Sequence, residues 1–336
     1  MTEASTAAKQ GRLSLLVRQI RFEAAAINSY ELVDPAGADL PPFTAGAHLD
    51  VHLPDGVVRQ YSLCNSPAER HRYVIAVLRD AHGRGGSLAL HESLLVQDMA
   101  AVSYPRNNFL LSAQASKVIL LAGGIGITPL KSMAHALDDA GTAFALHYCA
   151  RNAAGVAFAT ELDGPWKHGS AHFHFDQGNP AEGLDIAALL HTVEPGTHLF
   201  CCGPAGFMQA CANASAHWPA GTVHFEHFKA PDIARPASGT ASEPTAGTAP
   251  GSFAVKIAST GEVIDVAAGV SIADALNAAG VRVETSCQSG LCGTCKLRYL
   301  EGEVDHQDMI LDAGEQQHYL TACVSRATSA LLVLDL

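Results

Sequence analysis

Four cysteines near the end of the chain constrain its fold more than any other feature. Cys287, Cys292 and Cys295 stand in the stretch CQSGLCGTC, and Cys323 follows after 27 further residues. Four thiolates spaced C-x4-C-x2-C, with a distant fourth, hold two irons with two ligands each, the plant-type [2Fe–2S] arrangement. A loop wrapped this closely must aim backbone N–H groups at sulfur. Glycine permits that through positive φ and close backbone approach, and Gly290 and Gly293 fit the role. Zinc is the rival. Zinc sites favour two CxxC pairs or mixed Cys/His sets, whereas only one CxxC is present here, and the x4 step before it favours iron and sulfide.

The other cysteines do not extend the pattern. The chain has 336 residues and nine cysteines. An odd number without a secretory leader is not a disulfide framework. Cys64, Cys149, Cys201 and Cys211 read as packing residues. The start, MTEASTAAKQGRLS, lacks a charged-then-apolar leader, and no run of 18 apolar residues occurs. The expectation is a cytoplasmic protein with no membrane span. The formal net charge of −12 argues against nucleic acid as a partner. Residues 252–336 carry five Lys+Arg against eleven Asp+Glu, so the last third is the more acidic per residue. Glu301, Glu303, Asp305, Asp308, Asp312 and Glu315 follow the cysteine loop, as a docking face for a basic partner or as a plain solvated loop.

Composition also divides the chain. APDIARPASGTASEPTAGTAPGS is rich in Pro, Ala, Gly, Ser and Thr and has no apolar periodicity. The expected layout is a β-rich domain at 10–112, an α/β domain at 113–229, a linker at 230–251 and a small domain at 252–336. In the first, Leu49, Val51 and Leu53 alternate with polar residues before a Pro54-Asp55-Gly56 turn, and 74–78 is a buried-type strand, which suggests an antiparallel β-barrel. In the second, VILLAG, FALHYCA, AHFHFD and HLFCCG read as strands separated by helices near 129–140 and 205–216, a doubly wound fold. The third opens with two strands about Gly261 and a helix at 271–280.

A plant-type cluster works near roughly −400 mV and carries single electrons, so it needs a donor that splits electron pairs. A flavin does that. RQYSLCN at 59–65 offers Arg59 for a phosphate, Tyr61 to pack on a ring and Ser62 for a polar edge. In RDAHGRGGSLALHESL, Gly85-Gly86-Ser87 opens a helix with Ser87 as cap, and with Arg84 makes an anion site. Each pattern alone also describes an ordinary strand or turn. LLAGGIGITPLKSM places Gly123, Gly124 and Gly126 between a strand and a helix, where a pyrophosphate can approach. CCGPAGFM ends another strand; Cys202 would face a nicotinamide ring and Cys201 the core. HFEHF closes the module, with Glu226 near a flavin's reactive edge and Phe228 over its ring.

The order RQYS, GRGGS, GGIGITP, CCGP, HFEHF and then the cysteine loop resembles the phthalate dioxygenase reductase family, which includes the vanillate O-demethylase reductases. The resemblance covers essentially all of the chain after about residue 10. It implies a multidomain protein: a flavin barrel of ferredoxin-reductase type, an NAD domain and a β-grasp ferredoxin. Arg59 with the 85–87 turn would hold the phosphate of FMN, preferred here over FAD because of the RGGS turn. Tyr61, Ser62 and the strand Ala76, Val77, Leu78 would line the ring and ribityl chain, Thr128 would approach the flavin and Phe228 would stack on it. Gly123 to Pro129 and Cys202, Gly203 and Pro204 would hold NADH. Arg151 and Asp176 are candidates for its ribose, and the carboxylate of Asp176 favours NADH over NADPH. The implied task is to take hydride from NADH and pass single electrons to a Rieske-type oxygenase, and a linear relay of cofactors within one chain suits a monomer. A stand-alone flavin or ferredoxin reductase and an iron–sulfur redox sensor are the alternatives.

Overall fold

The computed structural model describes residues 11–53, 57–81, 85–228, 251–285 and 287–336. The expected turn at 54–56, Arg84 and nearly all of the 230–251 linker lie outside them. The chain forms two compact units, Met1–Phe228 and Lys229–Leu336. Among the described residues no helix is long and apolar enough to cross a membrane.

The first unit opens with six antiparallel strands: β1 (Arg12–Ala24), β2 (Ile27–Val33), β3 (His48–His52), β4 (Val58–Ser62), β5 (Tyr73–Leu78) and β6 (Met99–Ser103). Their order is β4-β3-β6-β1-β2-β5, and a bridge from Leu63 to Ile75 joins the two edges into a barrel. Period-two patterning drives the closure. Leu13, Leu15 and Val17 of β1 point inward with Leu49, Val51 and Ile75, while intervening residues face outward. The helix α1 (Gly86–Ser93) packs Leu90 into the same core.

A five-stranded parallel sheet follows: β7 (Lys117–Gly123), β8 (Ala143–Ala150), β9 (Gly169–Phe175), β10 (Thr197–Cys202) and β11 (Val223–Glu226), in the order β11-β10-β7-β8-β9. The unbroken apolar run of β7 reflects burial on both faces. Val118, Leu120 and Ala122 belong to one core cluster and Leu121 to another. Helices α2 (Ile127–Ala140) and α3 (Ala159–Leu162) cover the first face; α4 (Ile186–Leu190) and α5 (Ala205–Ala214) cover part of the second. The helix α2 stops at Gly141, whose φ of 74° suits a left-handed cap. Ala24, Ile27, Cys64, Ala76 and Phe109 of the barrel segment share a core with this sheet, so the two form one body. Buried Lys131 strengthens the joint: its ammonium donates to the Cys64 carbonyl at 2.9 Å and pairs with Glu161 at 2.7 Å.

In the second unit β12 (Phe253–Ile257) pairs with β13 (Val263–Val266) in a hairpin about Gly261. With β14 (Lys296–Glu301), β16 (Tyr319–Thr321) and β18 (Leu331–Leu334) they make a sheet ordered β13-β12-β18-β14-β16, in which β12 and β18 run parallel. A short pair, β15 (Val304–Asp305) and β17 (Arg326–Ala327), lies apart from it. The helix α6 (Ile272–Ala278) buries Ile272, Ala273 and Leu276 in the same core as the sheet. Its start is fixed by Ser271, whose hydroxyl accepts the Asp274 N–H at 3.0 Å. Sheet and single packed helix give the β-grasp arrangement.

Candidate functional site

Two of the flavin candidates, Arg59 and the 85–87 turn, meet. Arg59 lies on β4, and its side chain runs across Gly86: a Cβ there would stand 2.6 Å from Arg59 Cγ and 2.9 Å from Cδ. Gly85 adopts a φ of 80° as the residue preceding the helix α1. A guanidinium, a bare turn and a helix N-terminus thus share one spot, the chemistry a phosphate needs. Ser87 does not cap as expected. It sits inside the helix, and its hydroxyl accepts the Asp80 N–H at 3.1 Å, so the left-handed glycine before it makes the turn instead.

Tyr61 packs against the barrel core, and burial pushes its phenol up to about 12 against the lowering effect of Arg59. Ala76 faces the core shared with the α/β sheet. Val77 is buried inside the barrel, and its carbonyl is held by the His91 ring at 3.0 Å. Leu78 is partly exposed and remains available. Thr128 is buried, with its hydroxyl donated to the Ile125 carbonyl at 3.1 Å. Phe228 keeps 42% of its surface exposed, unusual for a large apolar side chain and suited to covering a ring.

The glycine loops meet at the carboxyl edge of the parallel sheet. A Cβ on Gly126 would collide with the Cys202 carbonyl and stand 2.8 Å from the Gly203 nitrogen. A Cβ on Gly203 would lie 3.0 Å from Gly123 Cα. Only bare backbone allows this approach. Gly124, with a φ of 54°, makes the turn itself, and Pro129 is buried in the helix that follows. Pro204 precedes the helix α5 in extended conformation. Phe207, which the sequence did not single out, packs its ring on Gly123 and Gly203.

Cys201 and Cys202 point to opposite faces, Cys201 into the core under α4 and α5, Cys202 into the core shared with the barrel. Cys202 is the register partner of Glu226 across β10 and β11. The Glu226 Oε2 is buried without a hydrogen-bond partner. Burial raises this carboxyl to about 8, although Ser62 offers a hydrogen bond that favours its charged form. Burial and a charged Glu226 both push the Cys202 thiol well above its ordinary range. A buried carboxyl that is neutral at pH 7, beside the glycine loops and the Ser62 end of β4, is a group poised to hold or hand on a proton. Arg151 and Asp176 stand at the ends of β8 and β9, on the same edge. The Gln177 N–H donates to the Arg151 carbonyl at 2.9 Å, and Asp176 Oδ1 accepts the Gly178 N–H at 2.7 Å.

The cysteine loop lies in the second unit. Its thiols form a chain of hydrogen-bonding contacts, Cys292 with Cys287, Cys287 with Cys323, and Cys323 with Cys295. Backbone N–H groups aim at the sulfurs: Ser289 and Leu291 at Cys287, 3.4 and 3.3 Å away, and Thr294 at Cys292, 3.5 Å away. The loop demands its glycines. Gly290 has a φ of 70°, and a Cβ on it would stand 2.7 Å from Val324 Cγ2; Gly293 has a φ of 71°. Four thiols joined by these contacts, with N–H donors already directed at two of the sulfurs, fit an iron–sulfur cluster. Cys149, expected in the core, is only half-buried.

The acidic run after the loop proves mixed. Asp308 is a loop anchor and no part of a docking face: its side chain is buried, and Oδ1 accepts the N–H groups of Ile310 and Leu311 at 3.2 and 2.9 Å. Asp312 likewise takes the N–H groups of Gly314 and Glu315, at 2.9 and 2.8 Å, and Glu315 pairs with Lys296 at 2.6 Å. Glu301, Glu303 and Asp305 remain exposed.

Comparison with known proteins agrees with this geometry. The 2Fe-2S iron-sulfur cluster binding domain matches residues 255–328, and the oxidoreductase NAD-binding domain matches residues 120–213. The chain is 54% identical to the tert-butanol monooxygenase / tert-amyl alcohol desaturase reductase subunit of Aquincola tertiaricarbonis, over 96% of each chain. It is 43% identical to the phthalate dioxygenase reductase of Burkholderia cepacia, over 99% of this chain and all of that one. A solved phthalate dioxygenase reductase structure, described as modular for electron transfer from pyridine nucleotides to [2Fe-2S], superposes with a TM-score of 0.73 at 43% identity over 98% of this chain and 99% of the other. With barrel, nucleotide sheet and cysteine-bearing β-grasp unit present in that order, the chain belongs to the phthalate dioxygenase reductase family.

Proposed function

We propose that the chain is the reductase component of a two-part oxygenase system, with NADH as reductant, FMN as flavin and a [2Fe–2S] cluster as exit port. The observation that carries this is the pairing of a cysteine cradle on one unit with a phosphate turn and a nucleotide edge on the other. When bound, the nucleotide and flavin supply two-electron chemistry and the cluster supplies single-electron transfer.

The chain's own residues position those groups. Arg59 and the bare backbone of Gly85 and Gly86 would take the flavin phosphate. Tyr61, Ser62, the strand Ala76, Val77 and Leu78, and Thr128 would bound the flavin, and Phe228 would shield its outer face from water. Gly123, Gly124 and Gly126 with Gly203 and Pro204 would admit the nucleotide's phosphates to the helix start at Ile127. Arg151 and Asp176 would meet its ribose, the carboxylate disfavouring a 2′-phosphate. Cys202 would set the nicotinamide's depth, and Glu226 would hold a proton at its carboxyl. Cys287, Cys292, Cys295 and Cys323 would be the iron ligands, and the N–H groups of Ser289, Leu291 and Thr294 would favour the more negative cluster state.

The partner would be a Rieske-type oxygenase acting on an aromatic acid or similar small molecule, met by a monomeric reductase in the cytoplasm. An absorbance spectrum of the purified protein, with acid extraction of its flavin, tests the cofactor set. Iron–sulfur absorption together with released FMN is the expected result; released FAD, or a spectrum without the cluster, would contradict it.

A further inference from the structure

The outer face of β8 and β9 carries an arrangement that the electron relay does not use. The core under α4 and α5 takes side chains from β7, β10 and β11 and none from β8 or β9. Where an apolar face would be expected, three histidines stand in a stacked row. The His147 and His172 rings lie 5.0 Å apart at 23°, and the His147 and His174 rings lie 5.2 Å apart at 18°. His147 and His172 are register partners, and His174 follows on the same face of β9. The Nδ1 of His147 and the Nε2 of His174 are 3.0 Å apart. The Nε2 of His172 is engaged elsewhere, with Ser170 Oγ at 2.9 Å.

We propose that this face is a divalent transition-metal site, with His147 Nδ1 and His174 Nε2 as its two protein ligands and water completing the shell. Metal–imidazole bonds of about 2.0–2.1 Å place two nitrogens of one ion roughly 2.9 Å apart at a right angle and roughly 3.4 Å apart at a tetrahedral angle. The observed separation falls in that window, so turning the two rings lets both nitrogens face one ion without moving either strand. Imidazole suits nickel, copper and zinc, and the near-right-angle spacing favours the first two. Both rings are neutral at pH 7. Burial and the charges of His172 and His174 bring His147 down to about 4, and burial with His172 lowers His174. Neutral imidazoles need lose no proton to bind: the ring that donates in the present hydrogen bond moves its hydrogen to its other nitrogen. Among the described residues no third His, Cys, Asp or Glu joins the pair in a preformed set. The site is therefore open and exchangeable rather than structural. Its position is strategic, since β8 and β9 end at Arg151 and Asp176, where the Asp176 N–H donates to the Ala150 carbonyl at 3.3 Å. A bound ion would tie the edge strand to its neighbour just below those residues.

The test uses tag-free holoenzyme with its cluster oxidised and its buffer stripped of metal. Isothermal titration with Ni²⁺ should show a saturable site that is weakened at least about tenfold in His147→Gln and in His174→Gln, and kept in His224→Gln, which breaks the similar His198–His224 contact of 3.1 Å between β10 and β11. Saturating Ni²⁺ should raise the Tm of the wild type and of neither strand variant. Should a variant fail to fold, substoichiometric Cu²⁺ on the wild type gives a second reading, because the oxidised cluster is diamagnetic. The copper resonance should then show coupling to two nitrogens. No saturable site, wild-type affinity in both strand variants, or a copper signal without nitrogen coupling overturns the assignment.

Discussion

Cys202 and Glu226 face each other across neighbouring parallel strands, one a buried thiol and the other a buried carboxyl with an unpartnered oxygen. Their pairing makes the meeting point of the two sheets a place where charge is resisted and a proton is retained.

The first prediction concerns pH. The Glu226 carboxyl is raised from 4.5 to about 8 in the folded chain, so the folded state binds more protons than the unfolded state between those values. Stability from this group is full below about pH 4.5 and is lost as pH rises through about 8. Glu226→Gln, neutral at every pH, should overtake the wild type in Tm as pH rises from 5 to 9. Melting curves across that range check it, and a constant difference would contradict it. Flavin reduction by NADH should show a limb near pH 8 in the wild type that the variant lacks.

The second concerns flavin retention. Removing a charge-assisted hydrogen bond costs about 1.5–3 kcal/mol, so Arg59→Ala should weaken FMN binding roughly ten- to a hundredfold. Gly86→Val should do the same by displacing the Arg59 side chain. Fluorescence of flavin released during gel filtration measures both.

The third separates two kinds of glycine. Gly124 needs its φ of 54° but has open space for a Cβ, so Gly124→Ala should cost only about 1–2 kcal/mol of backbone strain. Gly126 has an ordinary helical φ of −61°, but its Cβ would strike the Cys202 backbone. Gly126→Ala should therefore be the more destabilising and should raise the KM for NADH more. Urea unfolding and steady-state kinetics give the order.

The fourth concerns the exit port. Cys292→Ser should abolish NADH-dependent cytochrome c reduction while leaving ferricyanide reduction largely intact. Loss of neither activity would place the exit elsewhere.

Much of this was legible in the sequence because it rests on local rules. The C-x4-C-x2-C spacing, the positive φ of Gly290 and Gly293, and the double-sided apolar run of β7 are each set within a few residues. The opposed faces of Cys201 and Cys202 follow from strand periodicity alone. What escaped is set by distant partners. Ser87 looked like a cap but bonds back to Asp80, because the left-handed Gly85 had already turned the chain. Asp308 read as surface charge and is buried under the cysteine loop. Lys131 gave no signal, since a lysine on a helix is ordinarily solvated, whereas here it joins the Cys64 carbonyl to Glu161. The histidine row on β8 and β9 depends on cross-strand register, which spacing within one strand does not disclose.

The central claim is that reducing equivalents enter the first unit as a pair and leave singly through the cysteine-bound centre of the second. Anaerobic titration of the holoprotein with NADH, followed by absorbance and electron paramagnetic resonance together, tests it most directly. The account predicts bleaching of the flavin accompanied by the signal of a reduced [2Fe–2S] cluster. Complete bleaching with a cluster that stays silent under excess NADH would contradict it.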